Sequence, residues 1–270
     1  MIGRQGIHIP PKIVKSVLQR HKISFPDQIL SGLYKNGFAE ELFIQLLGAD
    51  KVESIDASTY EGATVVEDLN ALFNRPERYS AVVDCGTLEH CFHAPHAFTN
   101  IINLCEPGGH IIHVLPSNNY CGHGFYQFSP ELFFSMYSRA RGFEILGVYL
   151  AEEGNSTRWW KVQSPLERKG RVTLCNSIET HVLVLARKLE GAKTPAHESP
   201  HQSDYEQLSW RGAAVGHYKA SDVSGAHGFK DWLFLLGIFD KARVAKRLAR
   251  NIFSSASRDR GLFPIAPGEI

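Results

Sequence analysis

Between residues 52 and 116 the chain repeats one arrangement four times, a short apolar run that stops at a residue unsuited to the middle of a sheet. "KVESIDAS" stops at Asp56, "GATVVEDLN" at Asp68, "YSAVVDCG" near Asp84, and "GHIIHVLP" at Pro116. Short continuous apolar runs suit strands covered on both faces. Two stretches with helical spacing accompany them. In "FAEELFIQLLG" Leu42, Leu46 and Leu47 share a face before Gly48, and in "APHAFTNIINLCEPGG" Phe98, Ile101, Ile102 and Cys105 recur before Pro107 and a glycine pair. Strand alternating with helix predicts an α/β, Rossmann-like, mostly parallel sheet with helices on both faces.

"SPELFFSMYSRARG" carries the serine, proline and glutamate of a helix start and stops at Gly142. Strands follow at 143 to 151 and 180 to 189. The connection between them, 152 to 179, shows no helical crossover, so the two strands are expected as an antiparallel pair at the sheet edge. The sheet domain then spans 1–190. Residues 191–228, thick with Gly, Ala, Ser, Pro and His, read as an irregular linker or tail, with Tyr205 and Trp210 as anchors. Residues 229–270 become helical and amphipathic again. Within them 229–253 joins an apolar front to Lys241, Arg243, Lys246, Arg247 and Arg250. This extension either docks on the parent domain or contacts a membrane surface or another protein.

Composition excludes more than it selects. Lys+Arg 29 against Asp+Glu 28 leaves a net charge of +1, too little to steer the molecule toward polyanions, and basic and aromatic residues do not interleave as nucleic-acid binding requires. The five cysteines are an odd number in a chain large enough to fold without staples, which favours reduced thiols. "MIGRQGIHIPPK" lacks the apolar stretch of a signal peptide, so a soluble cytoplasmic protein is expected. The oligomeric state is left open.

In open parallel sheets ligands bind beyond the carboxyl ends of the strands. Asp56 there can accept two hydrogen bonds from the vicinal hydroxyls of a ribose, although a helix cap is an equally ordinary role for it. Asp68, at the next strand end, can accept from an exocyclic amino group while the Leu69 amide donates to a ring nitrogen. Its ordinary role is to cap the turn at Asn70. An adenosine-type ligand across both ends accounts for the pair most economically.

Competing chemistries lack their parts. "GLYKNGFAEELF" has no GxGxxG spacing for a nicotinamide dinucleotide, no G-x-S-x-G turn follows a strand, and no GxxxxGK[ST] stretch occurs. Cys85, His90, Cys91, His93 and His96 are dense, but their spacing fits no common zinc pattern, so no metal site is expected.

"FAEELFIQLLGADKVESIDAS", "VVEDLN", "YSAVVDCGTLEHCF", "INLCEPGGHIIHVLP" and "GFYQFSPELFFSMYSRARGFEI" together resemble the class I S-adenosylmethionine-dependent methyltransferases, particularly their small-molecule, type 11-like branch, over roughly residues 37 to 190. The resemblance implies a seven-stranded sheet whose last pair forms an antiparallel edge, and S-adenosyl-L-methionine as cofactor. Asp56, with Ala57, matches the family's ribose position, Asp68 with Leu69 the adenine position, and Asp84, Cys85 and Gly86 the start of the segment under the methionine moiety. The departure lies at the N-terminus, where only Met1 and Ile2 precede "GRQG" in place of a strand and a GxGxG loop. Gly3 and Gly6 would present backbone amides there, Arg4 or Gln5 would make polar contacts, and residues 7–36 would form an insertion.

Methyl transfer needs alignment of the acceptor and, for a hydroxyl, removal of a proton, for which histidine is the natural base at neutral pH. His90 is the candidate base. His123, between Gly122 and Gly124, is the candidate acceptor contact. Phe125, Tyr126 and Phe128 are expected as an aromatic wall, at least two of them ordinary core, with Asn118, Asn119 and Gln127 supplying hydrogen bonds. The expected activity is methyl transfer to an oxygen or nitrogen of a small polar acceptor such as a sugar or secondary metabolite. The competing expectation is a Rossmann-like interaction or scaffold protein without cofactor.

Overall fold

A computed structural model describes residues 1–23, 32, 34, 37–154, 158–168, 172, 174–203, 256–258 and 262–264. Helix α1 (Pro11–Arg20) starts with proline at its first position, where the missing N–H has no helical partner to lose, and buries only Val14 and Leu18. These pack with Ile7 and Tyr34 in a small cluster apart from the main core. Helix α2 (Glu40–Leu47) has two glutamates in its first turn and ends on Gly48 at φ 69°, a left-handed cap open to glycine. Leu47, expected on the buried face, is exposed.

The strands are β1 (Ile55–Asp56), β2 (Val65–Val66), β3 (Tyr79–Cys85), β4 (Cys105–Asn118), β5 (Phe143–Glu152), β6 (Trp159–Val162), β7 (Leu174–Asn176), β8 (Thr180–Lys188), β9 (Ala256–Arg258) and β10 (Leu262–Pro264). The main sheet runs β10-β6-β5-β8-β4-β3, and β7 pairs with β9. β1 and β2 are parallel partners, joined to the main sheet through Ile2, which bridges both Ile55 and Asp84 in parallel. The Ile2 N–H donates to Val83 O at 2.8 Å and the Gly3 N–H to Ile55 O at 2.7 Å. One residue thus occupies the central strand position between β1 and β3.

The sheet is mixed, not mostly parallel. Only β3–β4 is parallel in the main sheet; β4–β8, β8–β5, β5–β6 and β6–β10 are all antiparallel. Two causes combine. β8 returns between β4 and β5 instead of at the rim. The connection 152 to 179, read from sequence as lacking a helical crossover, folds back as β6 and hides Trp160 against the core. The β5–β8 pair is therefore antiparallel as expected but is not the edge. Pro116 does not stop β4, which runs on to Asn118 through a register irregularity, where a residue without an N–H is tolerated.

Helix α3 (Ala94–Leu104) lies against β3 and β4, and helix α4 (Pro130–Met136) against β5, while α5 (Pro165–Arg168) is a single turn after β6. α3 buries Phe98, Ile101 and Ile102, which meet Ile111 and Leu115 of β4 and Phe133 of α4 in one core. At about 25 cal/mol per Å² this apolar burial is the main favourable term of the fold.

Residues 191 to 203 pack on the sheet domain. Thr194 and Ser203 are buried, and Glu131 accepts from the N–H and hydroxyl of Ser203 at 2.8 and 2.6 Å. Tyr205, Trp210 and the expected helix at 229–253 lie outside the described residues, and the described parts of 229–270 are the strands β9 and β10. Among the described residues no helix is long and apolar enough to cross a membrane.

Candidate functional site

The strand ends open on a cleft of about 580 Å³ lined by Gly3, Arg4, Gln5, Asp56, Ala57, Asp68, Leu69, Gly86 and His90, together with Phe38, Glu61, Asn70 and Thr87. A volume of this order suits a small-molecule site. A larger hollow of about 730 Å³ between α4, β5 and β6 contains none of the strand-end carboxylates.

The glycine loop is held by its neighbours. Gly3 has φ 66°, and a Cβ there would meet the Thr87 hydroxyl oxygen at 2.4 Å. That hydroxyl donates to Ile2 O at 2.9 Å, and the Gln5 amide also donates to Ile2 O, at 2.8 Å. Arg4 reaches across the cleft mouth. It donates to Glu40 Oε1 and to Glu61 O, each at 2.6 Å, and its guanidinium lies 3.9 Å from the centre of the Phe38 ring.

Asp56 is half-buried, and among the described residues its Oδ1 takes only a long bond of 3.3 Å from the Ser58 N–H. Asp68 is exposed and caps the turn, as its ordinary role requires. Its Oδ1 accepts from both the N–H and the side-chain amide of Asn70 at 2.9 Å, and the backbone bond holds its carboxyl below the usual carboxylate range. Asn70 in turn accepts from the His93 N–H at 3.0 Å, tying β2 to the start of α3.

Asp84 does not line the cleft. It is fully buried, accepts from the Thr87 N–H at 3.1 Å, and lies 2.9 Å from His113 Nδ1; His113 Nε2 lies 2.7 Å from the Tyr137 hydroxyl. One proton arrangement satisfies all three groups, with Nδ1–H donating to Asp84 and the tyrosine donating to Nε2. Burial raises the Tyr137 phenol well above its ordinary range, which keeps it a donor. Cys85, the last residue of β3, is exposed and does not line the cleft either.

The loop at 119 to 128 closes over Glu89. The Phe125 N–H donates to the Glu89 carbonyl at 2.7 Å, and a Cβ on Gly124 would stand 2.8 Å from that oxygen, so glycine with φ 73° is required. Closure brings His123 Nε2 to 3.3 Å from Glu89 Oε1, with His90 Nε2 at 3.8 Å from the same atom. The Glu89 side chain is 1% exposed, and neither of its oxygens has a hydrogen-bond partner in another of the described residues. Burial pushes the Glu89 carboxyl above the usual range and Asp84 adds to the shift, while its own backbone N–H, His90 and His123 oppose it.

His90 faces the first cleft, whereas His123 faces a second of about 460 Å³ with Asn119, Tyr120, Gly122, Glu153 and Glu179. The remaining acceptor-side candidates are largely engaged. Asn118 and Asn119 both donate to Asn176 Oδ1, at 2.8 and 3.0 Å, and so lock β4 to β7. Tyr126 donates to Phe92 O at 2.7 Å, and Gln127 Oε1 accepts from the Tyr120 N–H at 2.8 Å. Of the three rings Phe128 is buried in the core, Tyr126 is half-buried and packs against that core, and Phe125 is exposed.

Fold and site together define a Rossmann-like α/β protein with a strand-end cleft. Neither a protein-family model nor a curated protein sequence matches the chain. Among solved structures it overlaps a putative methyltransferase from Bacillus halodurans C-125 at TM-score 0.38 and 14% identity, covering 56% of this chain and 87% of that one. It overlaps the cyclase SpnF at TM-score 0.36 and 14% identity, covering 54% and 70%. TehB from Haemophilus influenzae gives TM-score 0.36 and 19% identity, covering 54% and 52%. Overlaps of this size assign neither family nor activity to this chain.

Proposed function

We propose that the strand-end cleft binds S-adenosyl-L-methionine and that the protein transfers its methyl group to an oxygen or nitrogen of a small polar acceptor. The observation that carries this reading is convergence. Gly3 to Gln5, after the bridging Ile2, and Asp56 with Ala57, Asp68 with Leu69, and Gly86, at the end of β1, after β2 and after β3, line one cleft. The half-buried Asp56 keeps capacity for ribose hydroxyls. The bound cofactor would supply an electrophilic methyl group. The chain's part is to hold it, to orient the acceptor in the second cleft, and to manage the acceptor's proton at the Glu89, His90 and His123 group between the clefts.

One observation favours the competing scaffold reading: Arg4 spans the cleft mouth with both its partners and its ring contact made. Mass spectrometry of the protein denatured after purification separates the two. The methyltransferase reading expects a co-purified adenosyl compound, or loading of one per chain after incubation with S-adenosyl-L-methionine. Absence of loading favours the scaffold.

A further inference from the structure

We propose that Glu89, His90 and His123 bind one divalent first-row transition-metal ion at the border of the two clefts. The three donor atoms lie within 4.8 Å of one another. Ligand bonds of about 2.0–2.2 Å place neighbouring donors roughly 3–3.5 Å apart. Glu89 Oε1 and His123 Nε2 already stand at 3.3 Å, and His90 Nε2, at 3.8 Å, needs only a small ring movement.

The carboxylate makes the case specific. A buried charge normally collects hydrogen bonds. Glu89 receives none from another residue to either oxygen among the described residues, although backbone donors are close, because the Phe125 and Tyr126 N–H groups go to its carbonyl instead. A charge-assisted N–H···O bond to an imidazole would close to about 2.7–2.9 Å. The observed separations are too long for that and suit a cation between the groups. Gly86 admits the carboxylate, since a Cβ there would stand 3.3 Å from Oε1.

The site is also preorganised. The backbone bond from Phe125 to Glu89 fixes the His123 loop on the residue that carries the carboxylate. Two imidazoles and one carboxylate favour zinc, cobalt, manganese, nickel or iron over magnesium or calcium, which prefer all-oxygen shells. Both histidines are half exposed, at 51% and 52%, so coordination positions stay open toward the clefts. The role for such a position, binding an acceptor oxygen and lowering its pKa, rests on the proposed methyl transfer. Binding of the ion does not.

The test uses the full chain stripped with a chelator, with no cofactor or acceptor present, so that its outcome is independent of methyl transfer. Cobalt(II) is titrated in and followed by visible absorption, with zinc(II) by calorimetry as a second probe. One ion per chain is expected. Glu89→Gln should weaken it by more than the roughly 10–100-fold that loss of a supporting residue costs. His123→Ala, a half-exposed loop change, should weaken it as well and carries the test if the glutamine variant does not fold. His93→Ala, outside the cluster, should bind like wild type. Absence of stoichiometric binding to wild type, or unchanged binding in Glu89→Gln and His123→Ala, overturns the proposal.

Discussion

Asp84 Oδ2 lies 2.9 Å from His113 Nδ1 with both side chains fully buried, so the residue at the end of β3 is held from inside the sheet. The same carboxylate accepts from the Thr87 N–H, and Thr87 in turn holds Ile2. His113→Leu removes one member of this buried pair and leaves the carboxylate short of a donor. It should destabilise the protein by about 3–5 kcal/mol, read from urea unfolding. Tyr137→Phe, which strips only the hydroxyl facing His113 Nε2, should lose about 1–3 kcal/mol. Equal stability in all three proteins would contradict the arrangement.

The Gly3 contact predicts a local effect. Gly3→Ala places a methyl group against the Thr87 hydroxyl at a backbone angle that favours glycine. Adenosyl-ligand affinity should fall at least tenfold while the far-ultraviolet circular dichroism stays that of wild type. Wild-type affinity in this variant would show that the loop does not touch the ligand.

The two histidines face different clefts and should separate in kinetics. His123→Ala should lower methyl transfer while leaving S-adenosyl-L-methionine affinity nearly intact, because His123 lines the second cleft and not the first. His90→Ala should lower turnover by about 100-fold or more, most severely for acceptor hydroxyls of high pKa. Initial rates at saturating cofactor, paired with binding calorimetry, check both. Parallel losses of rate and cofactor affinity in His123→Ala would place that loop on the wrong cleft.

His181 predicts a pH dependence. Burial lowers its pKa below the ordinary value; Glu153 opposes the shift and His123 adds to it, and the Tyr120 hydroxyl stands 3.0 Å from Nε2. As pH falls, the unfolded chain takes up this proton first, near about pH 6.5. It therefore binds more protons than the folded chain below that point. This contribution to stability is present above about pH 6.5 and is lost as pH falls through the lower folded value. His181→Gln should flatten that segment of a melting-temperature profile recorded from about pH 8 to 5. A variant profile parallel to wild type would count against it.

The sequence exposed what depends on local patterning. Apolar runs located β3 and β4, helical spacing located α3, and turn residues after strands located Asp56 and Asp68 in one cleft. Long-range pairing was hidden, because nothing local in "RWWKV" says that it doubles back on β5 or that β8 enters between β4 and β5. Partner choice was hidden for the same reason. Asn118 and Asn119 read as free amides until Asn176, 58 and 57 residues away, took them. Glu89 carried a usable signal, a charge between the buried Leu88 and Cys91, but its convergence with His123 depends on closure of a loop more than thirty residues later.

The central claim is that the cleft holds an adenosyl ligand through the strand-end carboxylates, and calorimetry of S-adenosylhomocysteine on wild type and Asp56→Ala tests it most directly. The account predicts binding to wild type, weakened in the variant by about 1.5–3 kcal/mol, the range for a hydrogen bond to a charged group. No binding to either protein, or equal affinity for both, would contradict it.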